Sequence, residues 1–187
     1  MSDLSPDAVV PLLRGRFGRP YRFVASVAST QREIDPEDPE GAVFVTDHQT
    51  EGRGRLGRVW VDTPGRALLF SVQLRPTRPL SEWPELSVIA GEAVAAVLPV
   101  EARVVHPNDV MVDGRKVAGV LPEASNGRVV LGIGVNVNQA PDELPPDARK
   151  PPTSLRIELG RDVARAPLLA AILFELETRY DAWADVS

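Results

Sequence analysis

The run Gly52-Arg53-Gly54-Arg55-Leu56-Gly57-Arg58 alternates three glycines with three arginines within seven residues. Glycine lets a backbone pass close to a ligand, and arginine presents a rigid fork of donors that grips carboxylate or phosphate through paired hydrogen bonds. A loop of this composition suits a small anion. A solvated basic loop or an RNA-binding Gly/Arg tract is the plainer alternative.

Further along the chain, Pro107-Asn108-Asp109 offers an amide and a carboxylate at a turn, which is also ordinary turn chemistry. Lys116-Val117-Ala118-Gly119 places an ammonium beside small residues that allow a ligand or another backbone to approach. Lysine occurs only at 116 and 150, against nineteen arginines. A lysine surviving in so arginine-rich a chain implies a need for an ammonium specifically. Lys116 fits that description, while Lys150, next to Pro151 in a loop, reads as incidental. Gly132-Ile133-Gly134-Val135-Asn136-Val137-Asn138 puts poor strand formers into a strand, as expected where a ligand abuts a sheet. Ser29-Thr30 reads either as a helix cap or as a pair of hydroxyls for a ligand. No Gly-x-x-x-x-Gly-Lys-Ser/Thr phosphate loop and no Gly-x-Ser-x-Gly elbow is present. Neither histidine has a metal-ligand partner at helical or hairpin spacing, so no metal site is expected.

Composition narrows the class. The 187 residues suggest one domain spanning 1–187, 43% hydrophobic, with a net charge of −5. A dedicated nucleic-acid binder usually carries a basic face, so DNA and RNA are not expected partners. No apolar run approaches membrane-spanning length, so no membrane partner is expected. The absence of cysteine removes disulfide and thiol chemistry and fits a cytoplasmic location.

The elements that must position these residues follow from pattern. Ser5-Pro6 opens a short helix with Val9, Val10, Leu12 and Leu13 on its apolar side, closed by Gly15. Strands are expected at Tyr21–Val27, Ala42–Thr46 and Leu68–Leu74. Ser81 is expected to cap a helix reaching Leu98, burying Leu86, Ile89, Ala90, Ala93, Val94 and Val97. Arg103–Val105 starts a run of β structure. Asp113-Gly114 turns Asp109–Val112 into Arg115–Leu121, and Asn126-Gly127 turns into Arg128–Val137. Residues 139–152, with five prolines, read as a long irregular loop of the kind that forms lids. Thr153 opens a short helix ending near Gly160, and Ala166–Ala184 forms the last helix. Helices grouped around consecutive hairpins make an α+β domain with a mixed sheet.

The order Ser29-Thr30-Gln31, Gln49-x-x-Gly-Arg-Gly-Arg-x-Gly-Arg-x-Trp60, Pro107-Asn108-Asp109, Lys116-x-Ala118-Gly119 and Gly132-x-Gly134-x-Asn136 resembles the catalytic domain of biotin protein ligases, or biotin–[acetyl-CoA-carboxylase] ligases. That resemblance implies a mixed, largely antiparallel sheet flanked by helices, related to class II aminoacyl-tRNA synthetases. It implies ATP with Mg²⁺, biotin as substrate, biotinyl-5′-adenylate as intermediate, and transfer to a lysine of a biotin carboxyl carrier domain of a carboxylase. By the same resemblance, Ser29, Thr30, Gln31, Gln49, Gly52, Arg53, Gly54, Arg55, Lys116, Gly119 and Gly132 would hold biotin. Arg58, Asn108, Asp109 and Asn136 would face ATP or the adenylate, with Lys116 and Arg55 catalytic and Trp60 packing. The chain departs from the family where Lys-Trp before Pro-Asn-Asp becomes Val105-His106, and where Gln31 replaces asparagine. Neither an N-terminal winged helix nor a C-terminal β-barrel domain is expected within 1–187, and a homodimer is compatible with the resemblance. A biotin-binding homologue with weak or lost ligase activity stays open, as does, more remotely, a lipoate ligase or octanoyltransferase relative.

Overall fold

A computed structural model describes residues 2–146 and 148–185. Seven strands form one sheet in the order β1-β2-β3-β7-β6-β5-β4. They are β1 (Tyr21–Val27), β2 (Val43–Gln49), β3 (Ala67–Leu74), β4 (Arg103–Val105), β5 (Asp109–Val112), β6 (Arg115–Ser125) and β7 (Arg128–Asn136). Only β1 and β2 run parallel; every other neighbouring pair is antiparallel. The sheet is thus mixed and largely antiparallel, as the sequence suggested.

Four helices accompany it among the described residues: α1 (Pro6–Val9), α2 (Glu85–Val97), α3 (Leu155–Leu159) and α4 (Arg165–Ala184). The main core forms where α2 and α4 cover one sheet face. Strand alternation decides what each face carries. On β3, Leu68, Phe70, Val72 and Leu74 enter this core, and on β7 Val129, Leu131, Ile133 and Val135 do the same. The intervening Gly132, Gly134 and Asn136 therefore fall on the opposite face. Glycines there leave a trough instead of a second apolar layer.

Both hairpin turns form where expected, with left-handed φ at Asp113 and Gly114 (46° and 77°) and at Asn126 and Gly127 (49° and 75°). Several boundaries differ from expectation. The N-terminal helix stops at Val9 and passes into a single tight turn at Val10–Leu12, because Pro11 cannot continue an α-helix. Leu12 is exposed at 41% instead of packed. Ser81 caps nothing: Leu80–Glu82 is one 3₁₀ turn, and α2 starts after Pro84. The cap of α3 is Ser154, whose hydroxyl accepts from the Ile157 N–H, while the Thr153 N–H is committed to the Lys116 carbonyl. No helix among the described residues is long and apolar enough to cross a membrane.

Candidate active site

The open sheet face carries a cavity of about 800 Å³. Gly119, Gly132 and Gly134 line it from β6 and β7, and Trp60 lies over Gly119 and Gly134. A Cβ on Gly134 would come within 2.6 Å of the indole, and one on Gly119 within 3.2 Å. At Gly134 a side chain would force the ring to move, and at Gly119 the ring would have to give by a few tenths of an ångström.

At one end stands a fixed hydrogen-bonding unit. Gln49 Oε1 accepts from the Thr30 N–H at 2.8 Å and from the Thr30 hydroxyl at 3.2 Å. With its oxygen engaged, Gln49 keeps its amide nitrogen as a donor. Thr30 Oγ1 is also 2.7 Å from Ser71 Oγ, so the pair is anchored to β3. Gln31 lies across Gly132, its amide donating to the Leu121 carbonyl at 3.0 Å.

The Gly/Arg segment forms a hairpin arching over the cavity. The Trp60 N–H donates to the Gly52 carbonyl at 2.9 Å, and the Gly54 N–H donates to the Arg58 carbonyl at 2.8 Å. A Cβ at Gly52 would sit 2.5 Å from the Trp60 carbonyl, so that glycine lets the two arms close. The base is joined by His48 Nδ1 and Asp62 Oδ2 at 2.9 Å. At the tip Leu56 is 85% exposed with φ of 59°, a left-handed conformation that a branched residue rarely adopts. Arg55 donates to Asn108 Oδ1 at 3.3 Å, and Arg53 pairs with Glu123 at 2.8 Å. Arg55 and Arg58 have no carboxylate partner among the described residues.

At the other end, Asp109 receives both lysines of the chain. Lys116 Nζ is 2.7 Å from Oδ1, and Lys150 Nζ is 2.5 Å from Oδ2. Burial pushes the Asp109 carboxyl up, but the hydrogen bonds and charges of Lys116 and Lys150 outweigh it and hold its pKa below the ordinary carboxylate range. The register shift between Val110 and Met111 leaves Val117 as an extra residue on β6 beside Lys116, and bulges re-aim the side chains beside them. Lys116 Nζ also lies 5.6 Å from the Trp60 ring centroid, within cation–π range.

Of the residues singled out in the sequence, Thr30, Gln31, Gln49, Arg53, Gly54, Arg55, Arg58, Asn108, Asp109, Lys116, Gly119, Gly132 and Asn136 line this one cavity. Ser29 and Gly52 do not. Ser29 is 1% exposed, and Gly52 lines the outer side of the hairpin. Asn136 touches the cavity, but its amide is engaged with the Thr153 carbonyl at 3.0 Å and with Gln139 at 3.1 Å. His106 lines the cavity and Val105, on β4, does not. Trp60, Gly134 and Lys150 are the lining residues that the sequence reading undervalued. For Lys150 the signal was present: the lysine scarcity that singled out Lys116 applies to both.

The mixed sheet that carries the trough and the arginine hairpin has the fold of the Biotin/lipoate A/B protein ligase class. The chain belongs to that family, whose sequence model matches residues 24–139. It is 39% identical over 179 residues to the biotin–[acetyl-CoA-carboxylase] ligase of Mycobacterium tuberculosis, covering 88% of this chain and 65% of that protein. It is 36% identical over 170 residues to the bifunctional ligase/repressor BirA of Bacillus subtilis, covering 86% of this chain and 52% of the relative. The biotin protein ligase of Aquifex aeolicus, solved in complex with biotin and ATP, superposes with a TM-score of 0.76 at 32% identity, covering 88% and 72% of the two chains. The chain spans between half and two thirds of the length of these curated relatives.

Proposed function

We propose that this chain activates biotin with ATP to biotinyl-5′-adenylate and passes biotin to a lysine of a carboxyl carrier domain. The observation that carries the reading is the arrangement of one trough. A fixed amide–hydroxyl unit stands at one end, two ammoniums at the other, and an arginine hairpin lies above. Biotin is a neutral cyclic urea with a carboxylate at the end of an alkyl chain. The Thr30–Gln49 unit offers a donor for the urea carbonyl, and the glycine trough with Trp60 offers apolar walls. Lys116 and Arg55 offer cations for the carboxylate.

Adenylation brings two anions together, so a site must supply positive charge where the reacting oxygens meet. Lys116 takes the carboxylate and α-phosphate in this reading. Arg55, held toward the same end by Asn108, closes on the adenylate, with Arg53, Gly54 and Arg58 following as the hairpin orders. Gln31, Gly119 and Gly132 shape the biotin end, while Asn108 and Asn136 border the nucleotide. Ser29 acts at most by placing Thr30, since it does not reach the trough.

The side chains present do not build a magnesium site of their own. Among the described residues no group of three or more His, Cys, Asp or Glu could hold a metal. Asp109, the one carboxylate among the described lining residues, has both oxygens on lysines. Magnesium would enter bound to the nucleotide, where it would neutralise phosphate charge.

The test is pyrophosphate release by the purified chain with ATP and Mg²⁺, offered either biotin or lipoate, followed by biotin transfer to an isolated carboxyl carrier domain. Biotin-dependent release and carrier labelling are expected. Release with lipoate alone would overturn the substrate, and biotin binding without release would leave a binding protein in place of a ligase.

A further inference from the structure

The chain uses arginine at nineteen of its twenty-one Lys/Arg positions, yet the remaining two residues, both lysines, end on one carboxylate in the cavity. They come from unrelated places: Lys116 from β6, and Lys150 from the proline-rich segment that follows β7. Backbone bonds fix their proximity. The Lys116 N–H donates to the Pro151 carbonyl at 2.7 Å, and the Thr153 N–H donates to the Lys116 carbonyl at 2.8 Å. Residues 151–153 are thereby clamped alongside Lys116, and Lys150 emerges directly from the clamp.

The geometry also explains why neither residue is arginine. An ammonium is a compact charge that takes one oxygen, so two of them share a carboxylate, one on Oδ1 and one on Oδ2. A guanidinium fork spans both oxygens and would displace the second cation. Each ammonium has three N–H donors, and the lysine side chains keep 26% and 34% of their surface exposed, so donors remain for a ligand.

We propose that Lys150 is a second phosphate-contacting cation of the adenylation step, held ready with Lys116 on Asp109; this rests on the reading given under Proposed function. In that step a biotin carboxylate oxygen bonds to the α-phosphorus, and the bond from that phosphorus to the oxygen bridging to the β-phosphate breaks. Pyrophosphate leaves with the electron pair, and no proton changes hands. Lys116 serves the reacting carboxylate and α-phosphate, and Lys150 serves the pyrophosphate that departs. Asp109 keeps two like charges together until the polyphosphate arrives to share them.

Because the chain contains no cysteine, Lys150→Cys can be alkylated with bromoethylamine at that one site, which restores an ammonium on a thioether stem. Biotin-dependent exchange of labelled pyrophosphate into ATP is expected to fall about 10- to 100-fold in Lys150→Cys and to recover on aminoethylation. Inhibition by pyrophosphate should weaken in the variant, while calorimetric binding of biotin and inhibition by AMP stay at wild-type values. Unchanged exchange in the unmodified variant would overturn the proposal. Equal weakening of pyrophosphate, AMP and biotin would also overturn it, since that pattern means Lys150 only holds its loop. Absence of exchange in the wild-type chain would overturn the ligase reading instead.

Discussion

A carboxylate that holds two ammoniums is stable only while it is ionised, and Asp109 is in that position. Its pKa is lowered on folding, so the unfolded chain binds its proton more readily than the native one. The ion pairs therefore contribute fully above the unfolded value of about 3.9, and the contribution fades as pH falls through the lower, native value. Asp109→Asn removes the charge and leaves two partly solvated lysines facing each other. At neutral pH the variant should be less stable by about 1.5–3 kcal/mol, the range for charged hydrogen bonds, with the partly exposed lysines placing it at the lower end. The difference in urea midpoint between wild type and variant should shrink below about pH 4. A gap of constant size from neutral to acid pH would mean that the charge of Asp109 adds nothing to the pairing.

The Gly/Arg hairpin is the element on which the site depends, and it is held at its base and free at its tip. Trp60 is the point where it rests on the sheet glycines. Gly134→Ala would put a methyl carbon 2.6 Å from the indole, so the ring and the arm carrying it must move. Overpacking of this kind costs about 1–3 kcal/mol. If the ligand-bound state bears it, biotin affinity falls roughly 5- to 150-fold. Calorimetry on the variant decides the matter: unaltered affinity would mean that Trp60 lifts off the glycines when ligand enters.

Much of this element structure was legible from local pattern. β1 runs from Tyr21 to Val27 as read, and Asp113-Gly114 and Asn126-Gly127 marked their turns because few residue pairs tolerate positive φ twice in succession. Errors arose where a second local rule competed. Pro84 overrode the cap at Ser81, and Pro11 ended α1 before Gly15 could. What could not be read was pairing across the sequence. Lys150 meets Asp109 across 41 residues, and that contact depends on residues 151–153 bonding beside Lys116, which no local pattern encodes. Trp60 looked like packing because only the strand register places Gly134 and Gly119 under its ring.

Over the whole molecule, the sheet, α4 and the N-terminal segment are joined at Arg165. This guanidinium is 4% exposed and donates to the Ala67 carbonyl at 2.9 Å, at the start of β3. It pairs with Asp47 on β2 at 2.9 Å and with Asp3 before α1. Ser2 joins the same Asp47, and the Tyr21 hydroxyl donates to the Leu4 carbonyl at 2.7 Å, so residues 2–4 are stitched to β1 and β2. Burial, followed by the nearby Asp47 and Asp3 charges, raises the Tyr21 pKa and keeps that hydroxyl a donor. Arg165→Met has similar length but would strand Asp47 with 18% of its side chain exposed, next to an unsatisfied carbonyl. Removing one partner of a buried pair costs about 3–5 kcal/mol, and the half-exposed Asp3 brings this toward the lower end. Since the trough lies on the far face of the sheet, the loss should appear in thermal or urea unfolding and leave biotin affinity unchanged. Adding Asp47→Asn should recover part of the stability, because the stranded charge goes with it. A double variant as unstable as Arg165→Met would mean that the hub acts through the Ala67 carbonyl and side-chain packing, with the charge pair incidental.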